Sequence, residues 1–330
     1  MFENKTILIT GGTGSFGKRF TNILLSRYKK IKKLIIFSRD ELKQFEMSNY
    51  YKSSLNFKKL RFFIGDIRDK QRLDMALRDV DIVVHAAALK HVPSSEYNPF
   101  ETIKTNVIGT QNVIESCIEN EVSNLVSLST DKASSPVNLY GASKLVADKI
   151  AVGAEYIKGK TKMISAVVRY GNVMASRGSI IPILLQKKNQ KIIKLTDKDM
   201  TRFNISLDEA IELVLLSLKK AKGGEIFVPK LSSYRLIDLA KAIAPKAKFL
   251  FSGIRPGEKI HEEMISFTES ANTIEYNKYF IILPSFREYG LTEYIKKNGG
   301  KKVVKRFSYS SNTNKNFLKI PEIKKIISKL

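Results

Sequence analysis

The sequence predicts an α/β fold, a doubly wound parallel sheet with a smaller mixed α/β lobe toward the C-terminus. Three observations carry this. Short apolar strands alternate with helical segments five times up to about residue 130. The first strand runs straight into a glycine-rich turn and a helix. The residue types suited to ligand binding and acid–base chemistry fall just after strands, where open α/β sheets bind their ligands.

Taken in order, Thr6 to Thr10 (Thr-Ile-Leu-Ile-Thr) is a buried-strand pattern that enters Gly11-Gly-Thr-Gly-Ser-Phe-Gly17. A strand, a tight turn and a helix start can hold a pyrophosphate on backbone N–H groups and the helix dipole. Gly14 lets the backbone approach the phosphates, and Gly17 lets helix and strand pack closely. This is the dinucleotide-binding end of a Rossmann-like sheet. The second strand, Lys33 to Phe37, ends in Ser38-Arg39-Asp40. An acidic residue there suits the ribose of NAD, whereas Arg accommodates the extra phosphate of NADP. Ser38 and Arg39, with Lys43 one turn on, favour NADP; Asp40 is the contrary signal, or a cap for the next helix.

The third strand, Leu60 to Ile64, ends at Asp66 and Ile67, with Asp66 placed for an adenine amino group or as a helix cap. The fourth, Asp81 to Val84, runs into His85-Ala-Ala-Ala-Leu-Lys-His-Val-Pro93. Small residues at a strand end let a cofactor pass close. His85 reads as structural, and Lys90 falls at the ligand side of the sheet. A long helix from about Pro99 to Glu119 carries Thr105 and Asn106, and the fifth strand spans Asn124 to Ser129. After the sixth strand, Met163 to Arg169, the alternation weakens. Residues 1–175 are therefore expected to form the dinucleotide-binding domain, with room for later segments to join it, and 176–330 mainly a substrate-binding lobe. The loop Gly253-Ile-Arg-Pro-Gly-Glu-Lys259 brings two cations and a carboxylate to that lobe; the polar, basic tail from Ser308 brings no chemistry that the sequence names.

Composition narrows the function. The 330 residues are 43 % hydrophobic, ordinary for a soluble globular chain. One cysteine, Cys117, excludes a disulfide framework and a cysteine-based zinc site, and is expected in the core. His85, His91 and His261 lack metal-ligand spacing, so no metal is expected. The first strand begins within about five residues with no basic-then-apolar leader, so no secretory signal is expected. No apolar run approaches the roughly 20 residues of a membrane span. A cytoplasmic protein fits. The net charge of +25 is large, but the lysines are scattered, so anionic small molecules are expected as partners rather than nucleic acid or membrane.

The chemistry concentrates between Leu128 and Lys144. A strand delivers a hydroxyl, a carboxylate and an amine in a row: Thr130, Asp131 and Lys132. After a loop broken by Pro136, a helix carries Tyr140 and Lys144. Four residues apart, these share a helix face. A free phenol has a pKa near about 10, and a nearby ammonium lowers it, so the pair reads as a general base for an alcohol. Alone, the pair is a weak signal, and a solvated Lys beside a half-buried Tyr is the commoner reading; the rest of the chain favours the catalytic one.

Together these motifs resemble the extended short-chain dehydrogenase/reductases. The segments Ser38-Arg-Asp-Glu-Leu-Lys43, Ala88-Leu-Lys-His-Val-Pro93, Ser129-Thr-Asp-Lys132, Arg169-Tyr-Gly-Asn172 and Gly253 to Lys259 bring the chain closest to the inverting UDP-N-acetylglucosamine 4,6-dehydratases, whose product feeds pseudaminic acid synthesis and flagellin glycosylation. The resemblance implies NADP held by Thr13, Gly14, Ser15, Phe16, Ser38, Arg39, Lys43, Asp66, Ile67, Tyr140 and Lys144. The surrounding cofactor surface is expected to include Gly11, Gly17, Asp40, Glu41, Leu42, Ala86, Lys90, Val173, Met174, Ala175, Ser176 and Arg177. For the UDP-sugar it implies Lys90, Thr105, Asn106, Asn172, Ile180, Thr196, Arg255 and Glu258. It also implies a homo-oligomer, in particular a hexamer.

A redox-neutral 4,6-dehydration needs an acid and a base beyond the Tyr–Lys pair. Asp131 is expected to protonate the leaving water and Lys132 to take the carbon 5 proton. Relatives that retain configuration have Thr-Asp-Glu here, with Glu where this chain has Lys132. Lys132 would need a lowered pKa, which Lys90 and Lys144 could promote; alternatively Asp131 and Lys132 merely pair. The other readings are a retaining 4,6-dehydratase, a UDP-hexose 4-epimerase, which has no use for Asp131 and Lys132, and a non-catalytic NADP-sensing regulator.

Overall fold

A computed structural model of the chain describes residues 1–174 and 180–328. In the first half, β1 (Thr6–Thr10), α1 (Ser15–Arg27), β2 (Lys33–Ser38), α2 (Glu41–Tyr51), β3 (Leu60–Ile64), α3 (Lys70–Ala76) and β4 (Ile82–His85) alternate as expected. Then α4 (Val92–Tyr97), α5 (Pro99–Ile103), a π turn (Lys104–Ile108) and α6 (Gly109–Glu119) lead to β5 (Asn124–Thr130), α7 (Leu139–Ile157) and β6 (Ile164–Tyr170). The second half contains α8 (Ile180–Gln186), β7 (Ile192–Leu195), β8 (Thr201–Asn204), α9 (Leu207–Lys220), β9 (Glu225–Pro229), β10 (Ser232–Arg235), α10 (Leu236–Ile243) and β11 (Lys248–Phe251). It closes with β12 (Glu263–Ile265), β13 (Thr273–Glu275), β14 (Tyr279–Ile282), α11 (Leu291–Asn298), β15 (Lys301–Lys302), β16 (Tyr309–Ser310) and α12 (Ile320–Ile327). No helix among the described residues is long and apolar enough to cross a membrane.

The central sheet runs β15-β13-β14-β9-β6-β5-β4-β1-β2-β3. From β9 to β3 every pairing is parallel. The strand order reverses between β1 and β4, which is where such sheets open a ligand crevice. Both faces are covered. Ile7, Ile9, Phe20, Leu24, Ile36, Val126, Ile211 and Val214 form one core; Leu8, Val83, Ile114, Cys117, Leu125, Ala151 and Val167 form the other. The central strands accordingly read as unbroken apolar runs rather than alternating ones.

The sheet does not stop at the expected 175/176 boundary. β9 is buried along its whole length and lies beside β6. Helix α9 packs on the same face as α1, with Arg19 donating to Asp208 at 2.6 and 2.7 Å and Arg27 paired with Glu212. β13, β14 and β15 extend the sheet further. The smaller lobe is thus the set of segments between and after these: α8, β7 with β11, β8 with β10, α10 and α12. It has its own core of Ile181, Leu184, Ile193, Leu195, Met200, Leu239 and Ile323.

The helix expected from Pro99 to Glu119 is interrupted by the π turn. Asn106 explains the interruption. Its side chain is buried, donates to Leu89 O at 2.8 Å and to Ser143 Oγ at 3.0 Å, and accepts from Leu89 N at 2.8 Å. π turns of this kind commonly mark functional sites.

One buried ion cluster ties the layers together. Arg169 in β6 is 1 % exposed. It reaches Asp148 of α7 at 3.2 Å, and Glu269 and the Met264 carbonyl at 2.9 and 3.0 Å. Asp148 also accepts from Ser129 Oγ at 2.8 Å. Truncating one member of a buried pair leaves its partners charged and unpaired. Arg169→Met is therefore expected to lower the unfolding free energy by about 3–5 kcal/mol, read by urea denaturation; a loss under about 1 kcal/mol would remove this cluster from the list of stabilising contacts.

Candidate active site

One cavity of about 1540 Å³ runs along the carboxyl ends of the strands, from the glycine turn to the 252–262 segment. Single-ligand pockets are typically about 300–1,000 Å³, so this one has room for two ligands end to end.

At its first end, α1 begins at Gly14 with no side-chain cap and no acidic residue in its first turn. Its first backbone N–H groups are therefore open to an anion. Gly14 N donates to Gly11 O at 3.0 Å, closing the turn. A Cβ at Gly17 would lie 2.2 Å from the Gly12 carbonyl oxygen, and one at Gly11 would lie 2.9 Å from the Ala87 backbone, at a φ of +65°. This cradle fits a dinucleotide pyrophosphate. Thr13, Ser15, Phe16, Ile67 and Ala86 line the same end.

At the end of β2, Ser38 Oγ accepts from Gln44 at 3.0 Å. Asp40 caps α2, accepting from Lys43 N at 3.0 Å and pairing with the Lys43 ammonium. Arg39 lines the cavity and lies 3.5 Å from Asp66. Burial works against the Asp66 charge, but Arg68 holds its carboxyl below the usual range. The helix-cap role there falls to Asp69 instead, which accepts from Arg72 N. Two expected cofactor residues point elsewhere: Glu41 and Leu42 are exposed and do not line the cavity, because they face solvent from the first turn of α2, while Lys43 in the same turn faces the cavity. Gly17 also stays outside the lining and acts through the close packing described above.

The middle of the cavity is built by the end of β5. The strand runs one residue further than expected, so Thr130 is its last residue and caps the turn Asp131–Ala133. Thr130, Lys132, Tyr140 and Lys144 all line the cavity. Asp131 lies just behind, fully buried. Its Oδ1 accepts from Thr130 Oγ1 at 3.0 Å and from Lys132 Nζ at 3.1 Å, and its Oδ2 has no partner. Burial pushes the Asp131 carboxyl up, Lys132 opposes this, and Glu262 adds to it.

Lys132 departs from expectation. Its Nζ donates to Asp131, to Asn172 Oδ1 at 3.2 Å and to Glu262 Oε1 at 2.9 Å. Burial pulls its pKa down, but Asp131 and Glu262 outweigh burial and hold the ammonium above its ordinary range. The expected lowering by Lys90 and Lys144 is absent because two carboxylates, not two cations, flank the amine. The Tyr–Lys pair also differs. Lys144 Nζ donates to the Leu128 carbonyl at 2.7 Å. Burial pushes the Tyr140 phenol up to about 12, and the groups that oppose this are Lys132 and Thr130. His85 is buried, hydrogen-bonded to Thr10 and Thr110 at 2.8 and 3.1 Å, and kept neutral by burial.

At the far end, Lys90, Thr105, Asn172, Ile180, Thr196, Arg255 and Glu258 line the cavity with Val173 and Met174. Thr105 Oγ1 and Glu258 Oε2 are buried without a partner, which suits groups awaiting a ligand. Asn106 does not join them: its amide is spent on Leu89 and Ser143, so it shapes the π turn rather than contacting a substrate. Ala175, Ser176 and Arg177 lie outside the described residues. Three residues at the site were not anticipated: Glu262, Arg202 and Ser311. Glu262 and Arg202 line the cavity. Ser311 accepts from Glu262 N at 2.9 Å, so the tail from Ser308 does help to shape the site. No spacing marks them, since they meet only in three dimensions.

The match to a protein-family model described as "Polysaccharide biosynthesis protein" spans residues 7–284. The chain belongs to this family. Within it, a Campylobacter jejuni subsp. jejuni (strain 81-176) relative named "UDP-N-acetylglucosamine 4,6-dehydratase (inverting)" is 49 % identical, over 99 % of this chain and 98 % of its own. A Rickettsia felis relative named "UDP-glucose 4-epimerase" is 41 % identical over 100 % and 97 %. The solved structure described as "X-ray structure of Pen from Bacillus thuringiensis" superposes with a TM-score of 0.89 at 37 % identity, covering 100 % and 98 %. The family member described here therefore shares fold and full length with proteins bearing dehydratase and epimerase names.

The glycine cradle makes a direct prediction. Gly17→Ala should weaken NADP or NAD binding by about tenfold or more in calorimetry, with the melting curve showing a folded protein; unchanged affinity would mean that the close packing of α1 on the turn is not needed.

Proposed function

We propose that this protein is an inverting UDP-N-acetylglucosamine 4,6-dehydratase that uses NADP and acts early in pseudaminic acid synthesis. The observation that carries this reading is the row Thr130–Asp131–Lys132: Thr130 and Lys132 share a cavity wall with Tyr140, and Asp131, just behind it, is hydrogen-bonded to both Thr130 and Lys132. A 4-epimerase needs only a base at the 4-hydroxyl, and a dehydratase needs a further acid and base. The Campylobacter name supports the same substrate and stereochemistry.

The chain's groups divide the work as follows. Tyr140 takes the proton of the 4-hydroxyl, and Thr130 donates a hydrogen bond to the developing ketone. The ketone acidifies the proton on carbon 5. Lys132 removes it, the electron pair moves toward the ketone, and Asp131 delivers a proton to the departing 6-hydroxyl. Burial favours the neutral carboxyl that Asp131 needs for this. Carbon 5 is later reprotonated on the face opposite to the one that Lys132 deprotonates, which inverts the centre. A bound oxidised nicotinamide dinucleotide would supply a reversible hydride acceptor, so that the hydride lost from carbon 4 is the one regained at carbon 6.

Arg39 and Lys43 support NADP over NAD, with Asp40 occupied at the start of α2. The resemblance extends the reading to a cytoplasmic homo-oligomer, in particular a hexamer.

The decisive test is proton NMR of the reaction with UDP-N-acetylglucosamine and catalytic NADP in heavy water. A 6-deoxy-4-keto sugar, deuterated and inverted at carbon 5, is expected. Loss of the 4-configuration alone, with the 6-hydroxymethyl signals intact, would make the protein an epimerase, as the Rickettsia relative is named. No change in any nucleotide sugar would point to a regulator. Lys132→Ala should cut product formation by about 10²–10⁴-fold; parental turnover with the same product would refute the assignment. Arg39→Ala should raise the KM for NADP at least about tenfold with little change for NAD; equal effects on both would show that this arginine does not select between them.

A further inference from the structure

Lys132 has three N–H donors, and all three are taken, by Asp131, Asn172 and Glu262. An amine held this way presents no lone pair to the cavity. Asp131 is its neighbour in sequence. Glu262 arrives from 130 residues away. It is 2 % exposed and lines the cavity. Its Oε1 lies 2.9 Å from Lys132 Nζ and 3.5 Å from Arg202 Nε, and its Oε2 has no partner. Its backbone N–H is fixed by Ser311 Oγ, which in turn hydrogen-bonds Thr201 Oγ1 at 2.6 Å. A buried carboxylate is costly to keep ionised. Here the fold supplies it with three cations, Lys132, Arg202 and Lys259, and a rigid mount.

We propose that Glu262 is a positioning residue of this site: it clamps Lys132 from the C-terminal segment and sets the proton affinity of that amine, and so the pH range in which Lys132 accepts a carbon-bound proton. The proposal rests on the reading of Lys132 as the carbon 5 base.

The groups facing Lys132 fix the sign. On its own turn is Asp131; Tyr140 faces it from α7, Asn172 from the loop after β6, Arg202 from β8, Tyr234 from β10, and Lys259 and Glu262 from the segment before β12. Tyr234 is pushed up to about 12 by burial and stays neutral through the working range; burial pushes Tyr140 the same way, opposed by Lys132 and Thr130. Asp131 and Glu262 raise the proton affinity of Lys132, and burial and Arg202 lower it. Removing the Glu262 charge leaves a single carboxylate, itself drawn toward its neutral form, against burial and Arg202. The amine must then release its proton at lower pH.

The test follows deuterium exchange at carbon 5 of the 6-deoxy-4-keto product by NMR between about pH 6 and 10, in the parent, Glu262→Gln and Glu262→Asp. Exchange should rise with pH in the parent. In Glu262→Gln the midpoint of that rise should fall by about one unit or more, a tenfold change in proton affinity. Glu262→Asp should hold the parent midpoint, and the KM for the nucleotide sugar should change less than about twofold. A lower rate at an unchanged midpoint would make Glu262 merely structural and overturn the proposal. Should Glu262→Gln fail to fold, Arg202→Gln serves instead, with the midpoint expected to move upward; no movement is equally fatal. The rate of reductive methylation of Lys132 against pH, read by peptide mass mapping, reports the same shift without turnover. If the parent forms no 6-deoxy product, the dehydratase reading fails, while methylation still decides whether Glu262 governs Lys132.

Discussion

The site depends on a guanidinium that never touches the cavity. Arg169 sits near the end of β6 and joins three pieces of chain: Asp148 on α7, Glu269, and the Met264 carbonyl. Asp148 is one helical turn beyond Lys144 and also takes the hydroxyl of Ser129, the residue before Thr130. Glu262 is two residues before Met264. One buried cation therefore helps to fix the spacing between the end of β5, the Tyr–Lys helix and the segment that delivers Glu262, together with the bonds from Ser134 and Ser135 to Glu263. A planar fork with five donors suits this better than a lysine, which offers a single charged point.

The catalytic wall follows the same electrical logic on a smaller scale. Asp131, Lys132, Glu262 and Arg202 alternate in sign across a buried line. Each charge is tolerable because its neighbours are opposite, and burial and those neighbours together shift the proton affinities of Asp131, Lys132 and Glu262 from their ordinary values. The outer carboxyl, Asp131, has one cation and tends to its neutral form; Glu262 has three, Lys132, Arg202 and Lys259, which hold it below the usual carboxylate range. Two carboxyl groups beside one lysine thus acquire different roles. Tyr140 joins this circuit through Lys132 and Thr130, while Lys144 is turned toward a backbone carbonyl.

The cofactor end relies on backbone rather than charge. Its geometry comes from glycines that leave no room for a Cβ and from a helix start that no side chain occupies. The π turn performs a comparable task on the other wall. Asn106 fastens the Leu89 backbone, next to Lys90, and the turn leaves Thr105 facing the cavity with a free hydroxyl.

Much of this was legible in the chain itself. The six alternating strands, the glycine turn and the row Thr130–Asp131–Lys132 are local patterns, and local patterns are governed by backbone sterics and by the apolar periodicity of each segment. Residue numbers sufficed to place them at strand ends, and from there in one crevice. Three things depended on the tertiary structure. The sheet crosses residue 175 because β9 and β14 find their partners by burial and edge pairing, which spacing does not encode. Glu41, Leu42 and Asn106 turn away from the cavity because helix rotation and a π turn decide where a side chain points. The proton affinity of Lys132 runs opposite to expectation because it depends on Glu262, a charge 130 residues away that only folding brings within 2.9 Å. Sequence determined which chemical groups this protein brings to its crevice; the fold decided which of them are charged, since electrostatic energy follows distance and burial rather than order along the chain.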